Sequence, residues 1–124
     1  MTAVARPAIT GFARPSALEW LGFELAVGEL LELRPRESRL LRILAEADGE
    51  NITRIQCCCR MAWRGTGLEP MGEGSLKVYA SRIRRALADI GHPDAMPYAT
   101  RNATGYALDP DAVAALWSMI GARL

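Results

Sequence analysis

The sequence SLKVYASRIRRALADIG (residues 75–91), followed shortly by MPYATRNATGYAL (residues 96–108), predicts an arginine-rich helix and then a basic hairpin. At 100° per residue, one stripe of the helix is apolar, as expected of a face that packs on a core. This stripe comprises Leu76, Tyr79, Ala80, Ile83, Leu87 and Ile90. Ser75 is a favourable N-cap, and Gly91 stands where a C′ glycine ends a helix.

The opposite side of this helix and its flanks carry Lys77, Val78, Ser81, Arg82, Arg84 and Arg85, with Asp89 as the single acid. A neutral surface helix would mix both signs of charge more evenly. A helix followed by a basic hairpin can read duplex DNA, with one element in the major groove and the other against the backbone. An ordinary solvated surface is the alternative interpretation.

Charge is unevenly distributed along the chain. The 124 residues are enough for one domain, and they contain 15 basic and 14 acidic side chains. Residues 16–50 hold four arginines and eight acids, whereas residues 51–106 hold eight bases and four acids. Such segregation presents a basic side to a polyanion.

The first residues, MTAVARPAITGFARPS, lack the apolar core of a secretory signal, and no stretch approaches the length of a membrane span. We therefore expect a cytoplasmic protein with no membrane contact. The predicted division is a flexible tail (1–15), a folded domain (16–109) and a C-terminal amphipathic helix (110–124).

The sequence offers little for metal, cofactor or catalytic chemistry. Cys57, Cys58 and Cys59 are consecutive, so on a helix they point about 100° apart and cannot converge on one metal. The glycines of 65–74 match neither a dinucleotide fingerprint, which Pro70 interrupts, nor a phosphate loop, which would need lysine where Glu73 stands. We expect no cofactor, no metal and no catalytic residues, and hence no enzyme.

Residues 17–33 predict a small antiparallel sheet, because Val27-Gly28-Glu29 resembles a turn between apolar segments; a helix is the competing interpretation. Pro35 then predicts the first turn of a helix that ends at Ala47.

Further along the chain, Thr53 predicts the cap of a helix over 54–63, with Ile55, Cys59 and Ala62 or Trp63 facing inward. In the hairpin, Thr104-Gly105 supplies the turn and Tyr106 an aromatic anchor. The last predicted helix begins at 109–111, and one of its sides carries Val113, Leu116, Trp117 and Ile120.

The order of a strand, three helices and a hairpin predicts an α+β winged helix-turn-helix. Its parts are a three-helix core, small N-terminal antiparallel strands, a C-terminal β-hairpin wing and an extra C-terminal helix. Four segments also resemble motifs of the OmpR/PhoB family of response-regulator effector domains, here without a receiver domain. They are Leu33-Arg34-Pro35-Arg36-Glu37, Ala62-Trp63-Arg64-Gly65, residues 80–87 and residues 98–106.

The chain departs from the family pattern at several positions. Arg34 stands where a threonine N-cap is usual, so the first helix must be capped otherwise or more weakly. Lys77 replaces an aspartate, Ala103 replaces a glycine of the wing, and Arg101 comes one position early.

The resemblance implies a transcriptional regulator that binds double-stranded DNA. Helix 75–90 would read the major groove with Lys77, Val78, Ser81, Arg82 and Arg85, while Arg84 would contact a phosphate at the flank. Arg101, with Asn102, would place wing 97–108 at the backbone or minor groove, and loop 65–74 matches a segment that touches RNA polymerase in the family. A homodimer is left open. The alternative function is a winged-helix protein-interaction module that docks on RNA polymerase or another regulator without reading DNA.

Overall fold

The computed structural model describes residues 15–62, 73–96 and 105–123. In chain order the elements are α1 (Ala17–Leu30), α2 (Pro35–Glu46), β1 (Ile52–Thr53), α3 (Arg54–Ala62), α4 (Glu73–Asp89), β2 (Gly105–Tyr106) and α5 (Pro110–Arg123). The strands β1 and β2 pair antiparallel, with Ile52 opposite Tyr106 and Thr53 opposite Gly105. The described part of the chain is therefore mostly helical.

The predicted α+β winged helix-turn-helix is wrong. The described residues form five helices and one two-stranded sheet with two residues in each strand. The structure does not show a three-helix core with a hairpin wing and one extra helix. Gly105 lies in β2 and pairs with β1, whereas the rest of the predicted hairpin up to Thr104 lies outside the described residues.

The N-terminal antiparallel strands predicted over 17–33 are also wrong, because α1 is a single continuous helix. Ser16 caps it: the Ser16 Oγ accepts from the Glu19 N–H, and the Glu19 carboxylate accepts from the Ser16 N–H. Gly28 is not a turn residue here. A Cβ on Gly28 would lie 2.6 Å from the Ser38 Oγ, so glycine lets α1 approach α2 closely.

The helix α2 begins at Pro35, as predicted, and its first turn is capped without a threonine. Glu37 Oε1 accepts a hydrogen bond from the Arg34 N–H at 2.9 Å, and the Ser38 hydroxyl donates to the Arg34 carbonyl. The buried carboxylate thus makes one half of a capping box, whereas the Arg34 side chain caps none of the first-turn N–H groups.

One hydrophobic core joins all five helices and both strands. The helix α2 lies at its centre, since it packs against α1, α3 and α4, while α5 packs against α1. The largest fully buried side chains are Phe23, Leu40, Leu41, Ile43, Leu44, Leu76, Ile83, Leu87, Met96, Leu108, Leu116 and Val27.

The helix α3 confirms its predicted cap but not its predicted inward face. Thr53 Oγ1 accepts from the Gln56 N–H, and Gln56 Oε1 accepts from the Thr53 N–H. Ile55 and Cys59 are exposed, whereas Cys57 and Met61 are buried. The buried side of α3 differs from the predicted side because Ile52, in the strand β1 directly before the helix, lies in the core. This position fixes which side of α3 turns inward.

Candidate nucleic-acid interface

The helix α4 has a buried side and an exposed basic side. Leu76, Ala80, Ile83 and Leu87 are fully buried, in agreement with the predicted stripe. Gly91 has φ 95° and the His92 N–H donates to the Leu87 carbonyl, so the helix ends at a left-handed glycine as predicted. Its start differs, because α4 begins at Glu73 and not after a Ser75 cap.

The exposed side of α4 carries the α4 strip, which we define as Lys77, Val78, Ser81, Arg82 and Arg85. All five side chains are exposed. The structure therefore brings together five of the eight predicted site residues on one helix whose other side is anchored in the core. Such an anchored helix holds its exposed groups in a fixed register.

The α4 strip forms one wall of a groove of about 570 Å³, whose opposite wall includes Leu31, Glu32 and Leu33. Three acids, Glu32, Glu37 and Asp89, also line this groove. The groove therefore has mixed charge, and its cations lie along the helix surface.

Glu37 links the α4 strip to the start of α2. Its Oε2 lies 3.2 Å from the Arg82 Nε, and its carboxylate is almost completely buried, whereas the Arg82 side chain is 52% exposed. The ion pair holds the Arg82 guanidinium at its Nε, while much of that side chain faces solvent. Sequence reasoning missed this role, although a glutamate three positions after a helix cap is a recognisable signal.

Arg84 turns away from the α4 strip and contacts the core. Its Nε donates to the Met96 carbonyl at 2.7 Å, and its guanidinium lies 5.9 Å from the centroid of the Tyr106 ring. Tyr106 is buried, as expected of the predicted anchor. These contacts connect α4 to β2, so we leave Arg84 out of the candidate interface.

The other predicted sites belong to the wing and to the loop before α4. Arg101 and Asn102 lie outside the described residues, and so does most of the loop 65–74 that was matched to a polymerase-contacting segment.

A second groove, of about 890 Å³, is lined by α1, α2, β1 and α3. Four of its charged side chains form one network: Arg42 Nε lies 3.0 Å from Glu24 Oε1, Arg42 also contacts Glu46, and Arg39 lies 3.8 Å from Glu24. Burial lowers the pKa of Arg42, but hydrogen bonds and Coulombic attraction from Glu46 and Glu24 outweigh burial and leave that pKa raised. This paired network favours a structural role for the second groove.

The three cysteines differ in environment, as their consecutive positions predict. Cys57 is buried, Cys58 is half-buried and Cys59 is exposed. Burial, with a smaller contribution from Cys58, raises the pKa of the Cys57 thiol to about 11. Among the described residues, no group of three or more His, Cys, Asp or Glu side chains could hold a metal ion.

Within the described ranges, none of the helices has the length and apolar character needed to cross a membrane. Comparison with protein-family models, with curated proteins and with solved structures finds no match to this chain.

Proposed function

We propose that this protein binds duplex DNA in the cytoplasm and regulates transcription, with the α4 strip as its reading surface. The observation that carries the proposal is the exposure of Lys77, Arg82 and Arg85 on one side of a helix whose other side is buried. Between them lie the short side chains Val78 and Ser81, which allow close approach to another surface.

The dimensions of α4 suit the major groove. Its 17 residues span about 25 Å, and the major groove of B-DNA, about 12 Å wide, admits one helix. Arginine can donate two hydrogen bonds to the O6 and N7 of guanine, serine can contact any base edge, and an apolar side chain can contact the thymine methyl. The α4 strip contains each of these groups.

We assign different roles to the two arginines of the strip. Arg82 is paired with Glu37, so its orientation is fixed before DNA binds and it suits a phosphate at the groove wall. Arg85, one turn after Ser81 on the exposed side, suits a bidentate contact with guanine. The three acids of the groove weaken the attraction of the protein to the phosphates of any DNA sequence. They therefore favour sequence specificity over affinity.

Replacement of Arg85 tests this assignment on a duplex selected from random DNA by the purified protein. We expect Arg85→Ala to weaken binding to the selected duplex by about 5- to 150-fold, the loss of one bidentate contact. Binding to an unrelated duplex should fall much less. The measurement is fluorescence anisotropy at a fixed salt concentration.

Arg60→Ala is the matched control, because Arg60 is exposed, lines the second groove and changes the net charge equally. We expect this control to bind both duplexes within about twofold of the unaltered protein, as surface substitutions away from an interface usually do. Equal losses for Arg85→Ala and Arg60→Ala would contradict a reading role for Arg85.

A protein-interaction module is the second candidate function, and the exposed leucines of α1 favour it. This candidate predicts partner binding that survives the double variant Arg82→Ala/Arg85→Ala. The resemblance of residues 33–108 to the OmpR/PhoB family stays a prediction, and the DNA-binding proposal does not depend on it.

A further inference from the structure

Glu37 is a buried acid whose two carboxylate oxygens contact two different parts of the fold. Its Oε1 accepts from the Arg34 N–H at 2.9 Å, and its Oε2 lies 3.2 Å from the Arg82 Nε. The Glu37 side chain is only 3% exposed. A carboxylate that water hardly reaches needs both contacts, since a buried charge that loses its partner destabilises the fold. We therefore expect Arg82 to stay beside Glu37 when a DNA phosphate approaches the α4 strip.

The backbone that holds Glu37 is itself tied to the end of α1. The Leu33 N–H donates to the Gly28 carbonyl at 2.9 Å, which fixes the connection between α1 and α2. Arg34 follows directly, and its N–H is the group that binds Glu37. The carboxylate is thus anchored to the main chain on one side and faces Arg82 on the other. Supporting contacts of this kind hold a recognition group within a narrow range of positions.

The three cations of the α4 strip differ in their freedom to move. Lys77 and Arg85 are exposed, and among the described residues no acid pairs with either of them. Arg82 contacts Glu37 through Nε, but its side chain is 52% exposed, so its terminal N–H groups can still donate to a phosphate. A guanidinium held in this way binds a phosphate at one place, whereas a free cation follows the phosphates of any duplex.

We propose that Glu37 is a positioning residue that sets the sequence discrimination of the α4 strip, because it fixes where Arg82 binds a DNA phosphate. Phosphate contacts determine the register of a protein on the duplex, and base contacts then carry the sequence information. A fixed phosphate contact therefore favours only a duplex whose bases match the strip in that one register. Glu37 acts through Arg82 and does not touch DNA. The proposal rests on the proposed function, since it concerns a duplex bound to the same strip.

Glu37→Gln tests the proposal, because it removes the charge and keeps the shape of the side chain. Glutamine also serves at the third position of a capping box, so its Oε1 can still accept from the Arg34 N–H. The Arg82 guanidinium loses its ion pair and can follow any phosphate. We expect the discrimination ratio, which is the affinity for the selected duplex divided by that for the unrelated duplex, to fall by about 3- to 10-fold. Fluorescence anisotropy measures both affinities.

Glu32→Gln is the matched control, because Glu32 lines the same groove and the substitution removes the same charge. Glu32 is exposed, and within the described ranges no ion pair joins it to Arg82. Its charge acts on every duplex through solvent, so its loss should tighten binding to both duplexes. The discrimination ratio should change by less than about twofold. Equal changes of this ratio for Glu37→Gln and Glu32→Gln would overturn the proposal.

Arg82→Lys separates positioning from folding and from overall charge. Lysine keeps the positive charge and can pair with Glu37, but its ammonium group has no planar fork whose direction could be fixed. In this background Glu37→Gln should therefore change the discrimination ratio by less than about twofold. An effect as large as in the otherwise unaltered protein would show that Glu37 does not act through the Arg82 guanidinium, and it would overturn the proposal.

The Arg82 Nε–H group reports the ion pair in the absence of DNA. In nitrogen-15 NMR spectra of the free protein, this group should exchange its hydrogen with water more slowly than the Arg85 Nε–H, because the buried carboxylate shields it. Glu37→Gln should abolish the difference, whereas Glu32→Gln should preserve it. Equal exchange of the two groups in the unaltered protein would overturn the proposal.

The binding measurements distinguish failure of this proposal from failure of the proposed function. If the unaltered protein binds neither duplex, DNA binding itself is contradicted and the positioning role falls with it. If it binds the selected duplex more tightly than the unrelated one, and Glu37→Gln leaves the discrimination ratio unchanged, only the positioning role of Glu37 is overturned.

Discussion

Gly105→Ala is expected to destabilise the protein by about 4 kcal/mol or more, which is a large part of the stability of a typical domain. A Cβ on Gly105 would lie 1.9 Å from the Ile52 carbonyl oxygen and 2.7 Å from the Thr53 Cα. Both are backbone atoms of the paired strand β1, so no side-chain rotation relieves the overlap. The strands must separate, and Tyr106 loses its buried position.

Urea unfolding followed by circular dichroism measures this loss. Gly121→Ala is the matched control, since Gly121 lies in α5 and its added Cβ would meet no atom of the described residues within 4 Å. The control should be neutral or more stable by up to about 1 kcal/mol. A loss below about 1 kcal/mol for Gly105→Ala would show that β1 and β2 are not paired as described.

Phe23→Ala is expected to destabilise the protein by about 3–5 kcal/mol. Phe23 is 1% exposed, and its ring lies 5.2 Å from the ring of Trp20 and 4.9 Å from the ring of Trp117, centroid to centroid. This aromatic cluster joins α1 to α5, so its loss leaves a cavity between the two terminal helices. Aromatic pairs add about 0.5–1.5 kcal/mol to the burial of the ring itself.

Chemical unfolding monitored by tryptophan fluorescence follows this cluster directly, since two of its three rings are indoles. Ile55→Ala is the matched control, because Ile55 is 72% exposed and alanine is the better helix former. The control should change stability by less than about 0.5 kcal/mol. Similar stability for Phe23→Ala and Ile55→Ala would contradict the packing of α1 on α5.

Helices with one apolar side and a clear cap could be predicted from the sequence. Pro35 located α2, Thr53 located α3, and Gly91 located the end of α4. The side of α5 with Val113 and Leu116 is buried as its spacing predicts. In each case the residues at the helix ends and the buried side of the helix indicate the same structure. Sequence patterns are informative under this condition.

The errors have a common physical cause in tertiary contacts that a local pattern does not reveal. Gly28 resembles a turn residue, but its missing Cβ is needed for the approach of α1 to Ser38. Gly105 likewise resembles a turn residue, here of a hairpin. It is instead a glycine because its position lies directly against the backbone of β1. In α1 the spacing of Leu18, Leu21, Leu25 and Gly28 fits a helical period, but apolar residues lie on both sides and Val27-Gly28-Glu29 resembles a turn, so a sheet and a helix were both consistent with the sequence.

The exposed and buried sides of α4 could be predicted from the sequence, although the fold class could not. A helical period alone distinguishes Val78, Ser81 and Arg85 from the buried side of α4. It could not show that Arg84 contacts Met96 and Tyr106, nor that Glu37 pairs with Arg82 from a distant part of the sequence. Both contacts depend on where other elements lie around α4.

The affinity of the unaltered protein for a random-sequence duplex at two salt concentrations tests the central claim most directly. Two phosphate contacts from Lys77 and Arg82 predict a fall in affinity of about 12-fold between 50 and 200 mM salt, because each contact releases condensed counterions. Absence of binding at 50 mM salt, or an affinity that does not change over this range, would contradict DNA binding by the α4 strip.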